Sequence, residues 1–187
     1  YSVITDISFA QVDAWFGHVR RDLRMDLIYP EDVSKKYPCI VWICGGGWLS
    51  MDKSAHLAYL SELARQGFVV ASVQYRTSNE AKFPAQLEDV KAGIRYLKAH
   101  AERYHIDQKR FGVMGESAGG YLTCMAALVK DKKYDVGGYL EYSSEVQAAC
   151  PWYPPTDFRG FPYESEEQCA ASAESLLMGK NVLRNQE

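Results

Sequence analysis

The chain has 187 residues, 47% hydrophobic and 24% charged, a balance that predicts one globular domain large enough to bury a core without staples. A net charge of −3 excludes the basic footprint of a nucleic-acid-binding protein. No run of about 18 apolar residues is present, so no membrane-spanning helix is expected.

In chain order, Leu23, Met25 and Leu27 alternate with Arg24 and Asp26, the period-two pattern of a half-buried strand, and Tyr29-Pro30 ends it. Val3 to Phe9 is a candidate partner strand. After Pro38, residues 39–44 are continuously apolar, as in a strand covered on both faces. Asp52 or Ser54 can cap the helix that follows, whose apolar face is Leu57, Leu60, Leu63 and Ala64 and whose stop is Gly67. Residues 68–73 form a second buried strand. Pro84 suits the first turn of a long helix with Phe83, Leu87, Val90, Ile94, Leu97 and Ala101 on one face. A third strand, residues 110–114, runs into Gly115-Glu116-Ser117-Ala118-Gly119-Gly120 and a helix bearing Leu122, Met125, Ala126 and Val129. Residues 146–150 predict a fourth strand, and residues 170–178 a single helix in an otherwise polar tail. Alternating strands and helices imply right-handed crossovers and a mostly parallel sheet with helices on both faces.

Gly115-Glu116-Ser117-Ala118-Gly119 fits the G-x-S-x-G nucleophile elbow. The pattern is short, and its context gives it weight: a buried strand precedes it and an amphipathic helix follows. Such a turn strains the serine backbone, so its neighbours must be small. Gly45-Gly46-Gly47-Trp48 also follows a buried strand and precedes a helix. Alone it reads as a tight turn. Paired with the elbow at the carboxyl edge of one sheet, it supplies backbone amides suited to a developing oxyanion.

These stretches, together with Val73-Gln74-Tyr75-Arg76, residues 83–90 and residues 152–157, resemble the α/β-hydrolase carboxylesterases of the hormone-sensitive-lipase-like group, particularly bacterial acetyl-ester and feruloyl-ester hydrolases. The resemblance covers roughly residues 20–160. It implies an α/β-hydrolase fold over one domain, 1–187. It also implies a serine esterase with Ser117 as nucleophile and the amides of Gly46, Gly47 and Ala118 as the oxyanion hole. The substrate would be a short acyl or aromatic ester, such as an acetyl or feruloyl ester of a carbohydrate. An arylformamidase-like amidase and a non-catalytic binding protein are the rival readings. No metal or organic cofactor is implied, the expected partner is a small-molecule ester with neither nucleic acid nor membrane, and homo-oligomerisation is left open.

The sequence departs from the family pattern in two places. The histidine that usually precedes the three glycines is Cys44 here. All four histidines, His18, His56, His100 and His105, precede Ser117, whereas the family order is serine, acid, histidine. The resemblance therefore expects the acid, the histidine and two further strands beyond residue 187; a naturally shortened relative with little activity and a second chain that supplies the missing parts are the alternatives. His56 is the least remote substitute base. Asp157 is expected in a structural turn, Glu116 as a buried or backbone-bonded carboxylate, and the resemblance implies a structural role beside the site for Tyr75-Arg76. Cys39, Cys44, Cys124, Cys150 and Cys169 match neither a zinc motif nor a redox pair and are expected as buried thiols in a reducing compartment. No signal-peptide pattern opens the chain at Tyr1, and the expected location is cytoplasmic.

Overall fold

The computed structural model describes residues 1–184; the last three residues of the predicted domain lie outside the described residues. Strands β1 (Ser2–Ala14) and β2 (Val19–Tyr29) form an antiparallel hairpin, and β1 runs past the expected Val3–Phe9 partner, chiefly at its end. Strands β3 (Tyr37–Ile43), β4 (Val69–Val73), β5 (Ile106–Glu116) and β6 (Ala148–Trp152) are parallel, and the sheet order is β1-β2-β4-β3-β5-β6. Helices α1 (Leu57–Arg65), α2 (Ala85–Ala99) and α3 (Ala118–Leu128) make the crossovers.

The two-residue period of the strands sorts the core into two layers. On one face Leu23, Leu27, Val41 and Val73 pack with Leu87, Val90, Ile94 and Leu97 of α2 and Leu122 of α3. On the other, Ile28, Trp42, Val70 and Met114 meet Leu60 and Ala64 of α1. Each such buried side chain contributes about 1.5–3 kcal/mol relative to exposure. Every residue of β4 is buried, as its unbroken apolar run predicts. Gly67 ends α1 at φ +91°: its own amide donates to Ala64 and the Phe68 amide reaches back to Leu63.

Several local expectations are corrected. Asp26 was placed on the polar face of β2, yet it is fully buried, because Lys53 Nζ (2.6 Å), the Asp6 amide (2.9 Å) and Ser54 Oγ (2.9 Å) all donate to its carboxylate. Burial opposes its charge, and these donors outweigh burial and hold the carboxyl below its usual range. Ser54 is thereby spent on Asp26, while Asp52 accepts from the Ser54 amide in the turn before α1, so neither caps that helix. Pro84 sits at the N-cap of α2, one residue ahead of the first turn. The predicted single helix at residues 170–178 is two, α4 (Glu166–Ala170) and α5 (Ala173–Met178), because Ser172 turns extended and caps the second through the Ser175 amide. Strand β6 is exposed along four of its five residues, and Cys150 with it. Cys124 is partly buried, so only Cys39, Cys44 and Cys169 are the enclosed thiols expected. Among the described residues no helix is long and apolar enough to cross a membrane.

Candidate active site

The glycine loop leaves the end of β3 and the elbow leaves the end of β5, and these strands are neighbours with Ile43 opposite Gly115. Two motifs about 70 residues apart in sequence are thus brought to one sheet edge.

Ser117 has φ 51° and ψ −119°, a conformation that costs a side-chain-bearing residue about 1–3 kcal/mol. The surrounding backbone enforces it. The Ser117 amide donates to the Trp152 carbonyl at the end of β6 (3.0 Å), and the Ser117 carbonyl accepts from Tyr121 in α3 (2.9 Å). A Cβ on Gly119 would lie 2.0 Å from the Ile43 carbonyl oxygen, so only glycine lets α3 start this close to β3. Ala118 is the first residue of α3, where helix geometry leaves amides without an intrahelical acceptor.

The glycine loop is curled as tightly. Gly46 has φ +119°, and its carbonyl accepts from the amides of Leu49 and Ser50, both at 3.1 Å. A Cβ there would meet the Ser50 carbonyl oxygen at 2.3 Å. The next side chain, Trp48, is buried and stands edge-on to Tyr121 and Phe158, pegging the loop to α3 and to the segment after β6. At the other end the Tyr75 hydroxyl donates to the Cys44 carbonyl (3.0 Å). Arg76 is clamped by Asp89, through Nε at 3.0 Å, Nη2 at 2.8 Å and the backbone amide at 2.8 Å. Tyr75 and Arg76 thus have the structural role beside the site that the resemblance implies. Burial pushes the Cys44 thiol up to about 11, which disfavours a reactive thiolate there.

Glu116 carries a role that the sequence did not reveal. Its Oε1 lies 2.8 Å from His56 Nε2, and its Oε2 accepts from the Tyr153 hydroxyl. Tyr153 leads these contacts, ahead of His56 and the Gly45 amide, in holding the carboxyl below its ordinary range against partial burial. One carboxylate therefore joins the glycine loop, the elbow and the turn after β6. The signal is one of register: β5 and β6 pair Glu116 with Trp152, which delivers Tyr153 beside it. No sequence spacing encodes that pairing.

His56 is thus engaged by Glu116 and stands edge-on to Trp42 at 5.5 Å, away from the role of substitute base. His100 bonds the Tyr96 carbonyl (2.8 Å) and stacks on that ring, and His18 is exposed. His105 closes the turn after α2 with φ 56°. None of the four histidines hydrogen-bonds Ser117. Asp157 is exposed and accepts from the Arg159 amide (3.0 Å), the structural turn expected of it. A cavity of about 300 Å³ is lined by Ser117 with Gly47, Trp48, Ala118, Tyr153, Pro154, Pro155, Phe161 and Glu174; Gly46 is not part of that lining. Among the described residues no three His, Cys, Asp or Glu side chains are grouped to hold a metal ion.

A strained serine between a parallel strand and its following helix, at the sheet edge where the neighbouring strand ends in a glycine loop, defines an α/β-hydrolase. The chain belongs to the BD-FAE family, whose model matches residues 25–187. It is 32% identical over 138 residues to carboxylesterase NlhH of Mycobacterium tuberculosis (strain ATCC 25618 / H37Rv), covering 72% of this chain and 40% of the relative. A bifunctional GH43-CE protein of Bacteroides eggerthii superposes with a TM-score of 0.84 at 32% identity, over 99% of this chain and 25% of that one. A truncated carbohydrate esterase from gut microbiota superposes at 0.76 with 29% identity, over 97% and 66%. The chain spans 30% and 26% of the length of two further mycobacterial relatives, about a third or less.

Proposed function

We propose that the protein is a serine carboxylesterase of one α/β-hydrolase domain, acting on short acyl or aromatic esters that include acetyl or feruloyl esters of carbohydrates. Ser117 Oγ attacks the ester carbonyl carbon as its proton passes to a general base. The tetrahedral oxyanion collapses, the C–O bond to the alcohol breaks, and the alcohol leaves with the proton. Water then cleaves the acyl-enzyme by the same route. The base is assigned to none of the four histidines of this chain.

The observation that carries this reading is the strained Ser117 in a cavity that also presents Gly47 and Ala118. Amides preorganised there stabilise charge that develops only in the transition state, with each donor worth roughly 10²–10³ in turnover. The Gly47 and Ala118 amides are assigned to the oxyanion. The Gly46 amide is assigned to it as the third donor. The carbohydrate-esterase neighbours support a sugar ester as the substrate. The enclosed free thiols fit a reducing, cytoplasmic setting.

The test against the amidase reading is turnover of the full-length protein on an acetyl ester and on a formyl-anilide at equal concentration. Faster ester cleavage is expected. Preference for the anilide contradicts the assignment.

A further inference from the structure

The cavity over Ser117 contains one carboxylate. Glu174 lies in the first turn of α5, and Ala173 beside it packs against the glycine loop, its Cβ only 3.4 Å from where a side chain on Gly47 would begin. Glu174 is the sole Asp, Glu, Lys, Arg or His in the described lining. It is half-buried, and among the described residues no cation pairs with it. Among the described residues it accepts one hydrogen bond, a long one from the Tyr163 hydroxyl at 3.5 Å. An ionised carboxylate offers about four acceptor positions, so most of the capacity of this cavity-lining group is left unused by the protein. Tyr153, 68% exposed, and Phe161, 39% exposed, stand at the same wall.

We propose that Glu174 is a specificity-determining residue that accepts hydroxyls from a neutral, polyhydroxylated portion of the ester, with Phe161 and Tyr153 as its packing surface. The proposal rests on the esterase reading. A sugar presents hydroxyl donors at its edge and an apolar C–H face, which match a carboxylate beside two aromatic rings. Hydroxyl donors satisfy a desolvated carboxylate without requiring a second charge. The same carboxylate repels a substrate that carries its own negative charge, so one residue selects sugar esters and rejects acidic ones.

The experiment uses full-length protein and four acetate esters: 4-nitrophenyl acetate, an acetylated neutral xylo-oligosaccharide, an acetylated galacturonide and acetylcholine. Glu174→Ala is expected to lower kcat/KM on the xylo-oligosaccharide about 10-fold, chiefly through KM. Phe161→Ala is expected to lower it in the same selective way. Glu174→Gln is expected to raise kcat/KM on the galacturonide about 5-fold, since the carboxamide no longer repels it. On 4-nitrophenyl acetate, which carries no hydroxyls, all three variants should lose less than on the xylo-oligosaccharide, and unchanged urea midpoints report that they are folded. Equal losses on every ester would make Glu174 a purely structural residue and overturn the proposal. So would an unchanged xylo-oligosaccharide KM, or a preference for acetylcholine that Glu174→Gln abolishes. A wild-type protein inactive on all four esters overturns the esterase reading, and this proposal with it.

Discussion

Ser117→Ala is expected to lower turnover of the full-length protein on an activated acetate ester by about 10⁴-fold or more, the scale of a lost catalytic serine. The substitution removes one oxygen and little else. Alanine keeps the Cβ that packs near Gly45, and the bonds that impose φ 51° belong to the backbone, from Ser117 to Trp152 and from Tyr121 to Ser117. The variant should therefore unfold in urea at the same midpoint as the parent. The rate loss then belongs to chemistry rather than to folding. Turnover that survives the change in a normally folded variant sinks the assignment of Ser117 as nucleophile.

The second large effect lies away from the reacting atoms. Arg76→Ala is expected to destabilise the fold by about 3–5 kcal/mol, because removing one partner of a buried ion pair strands the other. Asp89 is 2% exposed and receives the Arg76 side chain together with its backbone amide. Burial pushes the Asp89 carboxyl up, and Arg76 is the leading influence that pulls it back. Without the guanidinium, burial is opposed only by the backbone amide of residue 76 and the charge of Arg21. A carboxyl raised in the folded state adds stability only below its unfolded pKa, and that stability is lost as pH rises through the folded value. The deficit between variant and parent, read from urea midpoints, should therefore widen from acid to neutral pH. A deficit that is small and independent of pH contradicts the account of Arg76 as the counter-ion of Asp89.

The sheet and its crossovers were legible in the sequence because buried parallel strands have continuous apolar runs and α2 repeats its apolar residues at helical spacing. The elbow and glycine loop were legible because backbone crowding demands glycine, and the 2.0 Å approach at Gly119 is that demand in the structure. Charges with distant partners were not legible. Asp26 reads as the polar face of a strand until Lys53 and Ser54 arrive from the loop before α1. Glu116 reads only as a buried or backbone-bonded carboxylate until strand register brings Tyr153 beside it and α1 begins next to His56. The tail misled through composition: Ser172 interrupts a helical pattern because its side chain caps α5 better than it continues α4. Glu174, in that same tail, reaches the Ser117 cavity only because α5 docks on the glycine loop.

The central claim is that Ser117 is an activated nucleophile facing a preorganised oxyanion site. Its most direct measurement is the mass of the intact full-length protein after treatment with a fluorophosphonate, followed by peptide mapping. The account predicts one adduct, on the peptide that contains Ser117, and none on the Ser117→Ala variant. An unmodified wild-type protein, or an adduct carried by another residue, contradicts it.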